Sequence, residues 1–293
     1  MGNDTVLVSD GGLATELEAR GHDLSDALWS ARLLVDAPQE ITAAHRAFFR
    51  AGAVIATTAS YQASFAGFAA VGYGMEEAAR LLRRSVELAK AARGELAGDG
   101  VQRFVAASAG PYGAALADGS EYRGRYGLSV AELAAWHRPR LEVLAESGPD
   151  VLALETVPDI DEAEALMTVV AGLGIPAWLS YSIDGDRTRA GQPMADAFAV
   201  AAGVPQIAAV GVNCCAPADV PAAVTVAREV TGKPVIAYPN SGEVWDPQRR
   251  AWTGPSRYSA GQARQWVAEG AQIVGGCCRV YPADIAEVAR ALA

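Results

Sequence analysis

The chain has 293 residues, of which 51% are hydrophobic and 20% charged, a composition typical of a globular protein with a large core. Its 24 basic and 34 acidic residues give a formal net charge of −10. Nucleic acids and anionic membrane surfaces attract basic patches, so this charge predicts small-molecule partners instead. The first residues lack a basic region followed by an apolar stretch, and we therefore expect no secretory signal and a reducing, cytoplasmic location.

Eight short apolar runs follow one another along the chain, each ending in small or polar residues and most followed by a segment with helical spacing. In order they are VLVSDGG, VIATTASYQ, FVAASAGPYG, VLALETVPD, AWLSYSIDGD, IAAVGVNCC, PVIAYPNSGE and IVGGCC. Such runs are typical of strands covered on both faces, as in a parallel sheet. The alternation predicts a single (β/α)8 TIM-type barrel over residues 1–293, with a doubly wound open sheet as the alternative.

Two later segments carry specific expectations. In APADVPAAVTVAREVTG, Asp219 and Gly232 are the start and stop signals of a helix. The uncharged run over residues 197–218 is long enough to cross a bilayer, but it is interrupted by Gly203, Pro205, Gln206 and Asn213. We therefore expect this run to be buried within the fold and the protein to have no membrane span.

Polar or reactive residues are concentrated where the eight runs end. Active sites of (β/α)8 barrels lie at the C-terminal ends of the strands, so this concentration predicts a functional site at that rim. The residues are Asp10, Gly11, Gly12, Thr57, Thr58, Ser108, Glu155, Asp184, Asn213, Cys214, Asn240, Cys277 and Cys278.

The four cysteines occur as two adjacent pairs, at 214–215 and 277–278. Vicinal cysteines bond to each other only with strain, which makes a disulfide network a poor explanation, whereas four inert core thiols remain an alternative. If both pairs lie on one rim, their thiolates would repel unless a cation binds them, and sulfur ligands favour zinc. Two glycines precede the second pair and give its backbone freedom. We expect both its members to be ligands, joined by one member of the first pair.

Several motifs make the chain resemble the zinc-dependent homocysteine S-methyltransferases over nearly its whole length. They are DGGLATELE, ALWSARLL, AGAVIATTASYQAS, SAGPYGAALADGSEY, GVNCCAP, YPNSGEVWD and VGGCCR. The pair GVNC and GGCC is highly specific, and TTASYQAS together with NCC is most similar to the branch that uses S-methylmethionine. The resemblance implies a homocysteine-binding barrel with a catalytic zinc ion.

The resemblance also implies roles for individual residues. Asp10 and Glu155 fall on positions that bind the substrate ammonium and Thr58 on one that binds its carboxylate, while Cys215 is left out as a ligand. Carboxylates suit an ammonium, and hydroxyl or backbone N–H groups suit a carboxylate. The implied catalytic and metal-ligating residues are Cys214, Cys277 and Cys278, and the implied substrate-binding residues are Asp10, Gly11, Thr58 and Glu155.

The implied reaction transfers a methyl group from a sulfonium donor to zinc-bound homocysteine thiolate and yields methionine. S-methylmethionine is the favoured donor and S-adenosylmethionine the second. A betaine-dependent enzyme, a thiol-redox protein and a non-catalytic zinc protein with four cysteine ligands are the alternatives. The oligomeric state stays open.

Two features beside the motifs bear on the donor. Val280 and Tyr281 follow GGCCR, where the family usually has small hydroxyl residues, and this departure concerns the donor pocket. The aromatic candidates for that pocket are Tyr61, Tyr238 and Trp245. No general base is required by the implied reaction, so we expect surface or packing roles for the three histidines, His22, His45 and His137.

Overall fold

Eight parallel strands form one sheet in the computed structural model, which describes residues 6–24, 29–246 and 251–293. The strands of this sheet are β1 (Leu7–Val8), β2 (Ile55–Thr57), β3 (Phe104–Ala109), β4 (Val151–Val157), β5 (Ala177–Tyr181), β8 (Ile207–Asn213), β9 (Val235–Tyr238) and β12 (Ala271–Val274). The first seven lie within the first seven apolar runs, and β12 overlaps the eighth, beginning two residues before it. Two antiparallel hairpins project from the sheet: β6 (Ile183–Asp184) with β7 (Arg187–Thr188), and β10 (Val244–Asp246) with β11 (Ala251–Thr253).

The sheet closes on itself. Its order is β1-β12-β9-β8-β5-β4-β3-β2, so β1 and β2 are the two ends. A parallel bridge between Ser9 and Ile55 joins these ends, and the N–H of Val54 donates to the carbonyl of Val8 at 2.7 Å. The predicted barrel is therefore confirmed over the open-sheet alternative, and the C-terminal ends of all eight strands share one rim.

Helices connect successive strands and cover the outside of the barrel. They are α1 (Leu13–Ala19), α2 (Leu33–Asp36), α3 (Pro38–Arg50), α4 (Phe65–Ala70), α5 (Met75–Gly94), α6 (Tyr112–Leu116), α7 (Val130–Glu146), α8 (Ile160–Val170), α9 (Met194–Ala202), α10 (Val220–Thr231), α11 (Ala260–Glu269) and α12 (Pro282–Leu292). As predicted, α10 begins after Asp219 and ends at Gly232, whose φ of 63° is the left-handed conformation that glycine adopts without strain.

Apolar side chains fill both the barrel and the layer outside it. Within the barrel, small alanines alternate with large residues, of which Trp178 and Tyr238 are the largest. The larger cluster lies between the strands and the helices. This two-sided burial explains why the strands read as continuous apolar runs.

The apolar run over residues 197–218 divides among α9, a loop, β8 and the segment after β8, and its larger apolar side chains pack in or against the core as expected, while several of its alanines are exposed. Among the described residues, no helix has both the length and the apolar character needed to cross a membrane.

Candidate active site and metal centre

One cavity at the C-terminal rim brings together all seven residues predicted to act on substrate or metal. Of the thirteen polar or reactive residues at the strand ends, eleven line it. The two others lie outside: Asp184 is exposed on β6, and Asn240 supports the cavity wall from behind. The rim is thus a single site built from β1, β2, β3, β4, β8, β9 and the segment after β12.

Three thiols converge in this cavity. The sulfur atoms of Cys214, Cys277 and Cys278 all lie within 4.8 Å of one another. A tetrahedral zinc ion with Zn–S bonds of about 2.3 Å separates its sulfur ligands by roughly 3.8 Å, so the cluster fits such an ion with small side-chain adjustments. These three residues could therefore hold a metal ion at the wall of the cavity.

The first cysteine pair divides between the cavity and the core. Cys214 follows the last residue of β8 and has a φ of 48°, a left-handed conformation that is strained for a residue with a side chain. The turn directs Cys214 into the cavity, whereas Cys215 is fully buried in the hydrophobic core. Burial raises the pKa of the Cys215 thiol. The structure thus separates one ligand candidate from one inert thiol.

The second pair is held by its backbone. The N–H of Cys277 donates to the carbonyl of Pro239 at 2.8 Å, and the N–H of Cys278 donates to the side-chain oxygen of Asn240 at 3.1 Å. The two preceding glycines act through close packing and not through a left-handed φ, since a Cβ at Gly275 would collide with Ser9 and one at Gly276 with Val280. Both thiols leave a loop after β12, where strand alternation no longer separates them.

Asp10 is a buried carboxylate in the same cavity as the thiols. Its two oxygens accept from Thr57, at 2.6 Å from the backbone N–H and 2.9 Å from the hydroxyl. Burial raises the pKa of Asp10 to about 7, the hydrogen bonds from Thr57 oppose the rise, and the charge of Glu155 adds to it. The neighbouring Gly11 packs so closely against Val280 and Phe48 that no side chain fits there.

Glu155 is the second buried carboxylate of the cavity. Its oxygens accept from the Ser108 hydroxyl and from the Tyr238 hydroxyl, the latter at 3.0 Å. Trp178 donates in turn to Tyr238 at 3.0 Å and fixes its orientation. Burial raises the pKa of Glu155 to about 7, opposed by the hydrogen bond from Ser108 and reinforced by negative charge on Cys214. Two such carboxylates form a site for a cation that carries several N–H donors.

Thr58 lines the cavity, but its hydroxyl is already engaged. The Ser60 hydroxyl donates to the carbonyl of Ser108 at 2.7 Å, which uses its only hydrogen. Thr58 must therefore be the donor in its 2.7 Å contact with Ser60, and it accepts from the N–H of Ser108 at 3.0 Å. A carboxylate bound by Thr58 would have to replace Ser60 as the partner of this hydroxyl.

Tyr122 and Thr156 are among the cavity-wall residues that sequence reasoning missed, as are Leu13, Ala14 and Thr15 at the start of α1. Tyr122 lies in the connection between α6 and α7, far from any strand end; the motif SAGPYGAALADGSEY ends on it, but its spacing gives no sign of a place in the cavity. Thr156 has a φ of 59°, strained for a β-branched residue, and Asn213 holds it there by accepting from its N–H and donating to its hydroxyl, each at 2.7 Å. The signal for Thr156 was its position directly after Glu155.

Val280 and Tyr281, the two residues after GGCCR that depart from the family pattern, lie outside the cavity. Val280 is fully buried, and its carbonyl accepts from the N–H of Gly12 at 3.0 Å. Tyr281 caps α12 and packs beneath the guanidinium of Arg279. Neither residue lines the cavity, so the departure concerns the packing behind the three thiols.

The structure places two of the three aromatic candidates for a donor pocket in the cavity. Tyr61 and Tyr238 line the cavity, and the hydroxyl of Tyr238 is committed to Glu155. The side chain of Trp245 lies outside the described residues. The histidines do not line the cavity: His45 and His137 are fully buried, the latter at 2.8 Å from Glu162, and His22 is half-buried.

A (β/α)8 barrel whose C-terminal rim joins three thiols and two carboxylates in one cavity has the architecture of a barrel enzyme, with a thiol cluster that could hold a metal ion. Residues 7–292 match the family model described as homocysteine S-methyltransferase. The chain belongs to the homocysteine S-methyltransferase family, and the resemblance found in its motifs is confirmed.

Individual relatives agree with this assignment. The homocysteine S-methyltransferase of Escherichia coli K12 is 46% identical over 289 residues, covering 96% of this chain and 93% of the relative. The homocysteine S-methyltransferase YbgG of Bacillus subtilis is 45% identical over 295 residues, covering 97% and 93%. The crystal structure of the metallated form of homocysteine methyltransferase MmuM from Escherichia coli superposes with a TM-score of 0.89 at 44% identity, covering 99% of this chain and 96% of that one.

Proposed function

We propose that this enzyme transfers a methyl group from a sulfonium donor to the sulfur of homocysteine and forms methionine. With S-methylmethionine as donor, the bond between the donor sulfur and one methyl group breaks, and its electron pair stays on that sulfur. The new bond forms at the homocysteine sulfur, so each turnover leaves two molecules of methionine. S-adenosylmethionine is the second candidate donor. The convergence of three thiols and two carboxylates in one cavity carries this proposal.

Zinc is the proposed metal, held by Cys214, Cys277 and Cys278. Soft sulfur ligands in a tetrahedral arrangement favour this ion, and three protein ligands with one open position are the pattern of catalytic zinc sites. When bound, zinc would act as a Lewis acid that keeps the homocysteine sulfur deprotonated and nucleophilic at neutral pH.

Asp10 and Glu155 are proposed to hold the homocysteine ammonium. Each carboxylate is oriented by donors from the protein, Thr57 for Asp10 and Ser108 with Tyr238 for Glu155. Each carboxylate oxygen can accept more than one hydrogen bond, so both residues retain acceptors for the three hydrogens of an ammonium. Its charge would also relieve the repulsion between the two carboxylates and lower both pKa values on binding.

The substrate carboxylate is proposed to lie beside Gly11 and Thr58. Both residues line the cavity next to Asp10, and the carboxylate shares its carbon atom with the ammonium. This role requires the Thr58 hydroxyl to exchange Ser60 for the substrate, and it stays a prediction.

A closed structural zinc site is less consistent with the geometry than a catalytic one. Such a site would use all four cysteines, but Cys215 is buried in the core and is not part of the cluster. A thiol-redox protein would not need the two buried carboxylates that line the same cavity as the thiols. We further propose that residues 1–293 form one barrel domain, which acts on small molecules in a reducing, cytoplasmic environment.

A donor panel tests the proposal. Purified, zinc-loaded protein would be incubated with homocysteine and, separately, with S-methylmethionine, S-adenosylmethionine, betaine, methylcobalamin and a methylfolate. We expect methionine with the sulfonium donors, S-methylmethionine giving the highest kcat/KM. Turnover with betaine and none with either sulfonium would overturn the donor assignment and leave the homocysteine site standing. No methionine with any donor would overturn the proposed activity.

A further inference from the structure

Arg189 lies on a tightly held loop beside the active-site cavity. It directly follows β7, and its N–H donates to the carbonyl of Ser182 at 3.2 Å. The next residue, Ala190, donates to the carbonyl of Pro158 at 3.0 Å. These bonds attach the loop to the ends of β4 and β5, which belong to the barrel itself. The position of Arg189 relative to the cavity is therefore fixed before any ligand binds.

The guanidinium of Arg189 reaches toward the mouth of the cavity. Its Nε donates to the Ser182 hydroxyl at 3.1 Å, and one Nη lies 3.5 Å from the backbone carbonyl of Cys214. The guanidinium carbon lies 5.5 Å from the ring centre of Tyr122. Tyr122 lines the cavity and yet is 39% exposed, so it marks the mouth. A fixed positive charge thus lies at the entrance, next to a predicted metal ligand.

This guanidinium has no acidic partner among the described side chains. In the part of the chain whose side chains are described, no carboxylate oxygen lies within 4.0 Å of Arg189. Arg187 in the same hairpin, by contrast, lies 3.8 Å from Asp186. An unpaired, half-buried arginine is unexpected in a chain with ten more acidic than basic residues. Its planar set of N–H donors matches the two oxygens of a carboxylate, which makes a carboxylate ligand its natural complement.

We propose that Arg189 binds the carboxylate of the methyl donor and restricts the enzyme to sulfonium donors that carry one. This inference rests on the proposed function and adds a donor subsite to it. Guanidinium and sulfonium repel each other, so a donor without a carboxylate meets only repulsion at the mouth, whereas a donor with a carboxylate is attracted and oriented. The sulfonium end then points away from Arg189 and into the cavity, toward the thiols.

The donor is a better ligand for Arg189 than homocysteine is. The carboxylate and ammonium of homocysteine share one carbon atom, so an ammonium held by Asp10 and Glu155 places the carboxylate beside them, inside the cavity. Arg189 does not line that cavity and contacts only its rim, through Tyr122 and the carbonyl of Cys214. The second substrate must enter from this rim, because the first one occupies the interior.

The test compares two donors in two variants. S-methylmethionine carries a carboxylate, and (3-aminopropyl)dimethylsulfonium is the same sulfonium amine without it. In zinc-loaded Arg189→Met and Arg189→Gln we expect kcat/KM for S-methylmethionine to fall about 10- to 100-fold, as for the loss of a charge-assisted hydrogen bond. The value for the decarboxylated donor should stay constant or rise. Zinc content and the KM for homocysteine should stay within about twofold of wild type.

Two further variants keep the result interpretable. Arg187→Met removes a charge from the same hairpin and should leave both donors unaffected, since Arg187 already pairs with Asp186. Arg189→Lys keeps the positive charge and loses the planar set of N–H donors, so it should retain part of the discrimination between the two sulfonium donors. If Arg189→Met does not fold, this variant tests the role of Arg189 in its place.

Three outcomes would overturn the assignment of Arg189: an equal fall for both donors, a fall in kcat/KM for homocysteine alone, or unchanged donor discrimination in every Arg189 variant. Each of these outcomes counts against Arg189 only when the wild-type protein turns over S-methylmethionine. A wild-type protein that uses neither sulfonium donor would instead overturn the proposed function, and the donor subsite with it.

Discussion

Replacing Glu155 by Gln should stabilise the ligand-free protein at alkaline pH while weakening its binding of homocysteine. Glu155 is only 6% exposed, and burial raises its pKa from the ordinary 4.5 to about 7. A carboxyl group whose pKa is raised on folding supports the fold fully below its unfolded pKa, and this support is lost as the pH rises through the folded pKa. Glutamine has nearly the same shape and no charge to bury.

The magnitude follows from the two pKa values. One pKa unit corresponds to about 1.4 kcal/mol, so the ionisation of Glu155 destabilises the fold by about 3 kcal/mol at pH 8 and by about 1 kcal/mol at pH 5. The amide of the substituted glutamine would weaken one of the hydrogen bonds from Ser108 and Tyr238, at a cost of about 1 kcal/mol. The net gain in the free energy of unfolding is then about 2 kcal/mol at pH 8 and close to zero at pH 5.

Thermal unfolding of metal-free, reduced protein measures this difference. For a chain of 293 residues, about 2 kcal/mol corresponds to a rise in Tm of roughly 3 °C, seen at pH 8 and not at pH 5. Glu132→Gln is a control of opposite sign, because hydrogen bonds from Ser129 lower the pKa of Glu132, and its replacement should lower Tm at pH 8. A Glu155→Gln protein that is less stable than wild type at pH 8, or equally shifted at both pH values, would refute the reasoning.

The remaining predictions concern the binding of homocysteine and of the metal ion. The three predicted metal ligands are Cys214, Cys277 and Cys278. Replacing any one of these ligands by Ala should remove zinc and activity, while Cys215→Ala should retain most of the metal; elemental analysis decides, and the reverse pattern within the first pair would show that the wrong member was chosen. Asp10→Asn should keep zinc and raise the KM for homocysteine about 10- to 100-fold, as for a lost charge-assisted hydrogen bond, and an unchanged KM and kcat would remove Asp10 from the site. The kcat/KM for homocysteine should rise as the pH is raised through about 7, the pKa at which Asp10 and Glu155 ionise. A profile that is flat from pH 5.5 to 8 would contradict their role.

The barrel and most of its site could be predicted because both depend on strands. Each apolar run defines a strand, and all parallel strands end at one rim, so a residue such as Asp10 or Glu155 can be placed without knowing any distance. The left-handed turn at Cys214 could not be predicted in the same way, although its consequence, one ligand from the first pair, follows from the alternation of side chains along a strand.

The parts that escaped prediction depend on loops and on hydrogen-bond direction. Tyr122 and Arg189 reach the cavity mouth from long connections whose paths are set by tertiary packing. The hydroxyl of Thr58 is committed to Ser60, which only the full chain of donors and acceptors reveals. The glycines before the second cysteine pair suggested a bent backbone, but they are required by close contacts with Ser9 and Val280.

The central claim is that Cys214, Cys277 and Cys278 hold a metal ion whose open position takes the sulfur of homocysteine. Optical titration of the cobalt-substituted protein tests it most directly, because each added thiolate ligand strengthens the sulfur-to-cobalt charge-transfer absorption. Homocysteine should increase this absorption in a saturable manner, and homoserine, which has oxygen in place of sulfur, should not. A cobalt spectrum that homocysteine leaves unchanged would contradict the account.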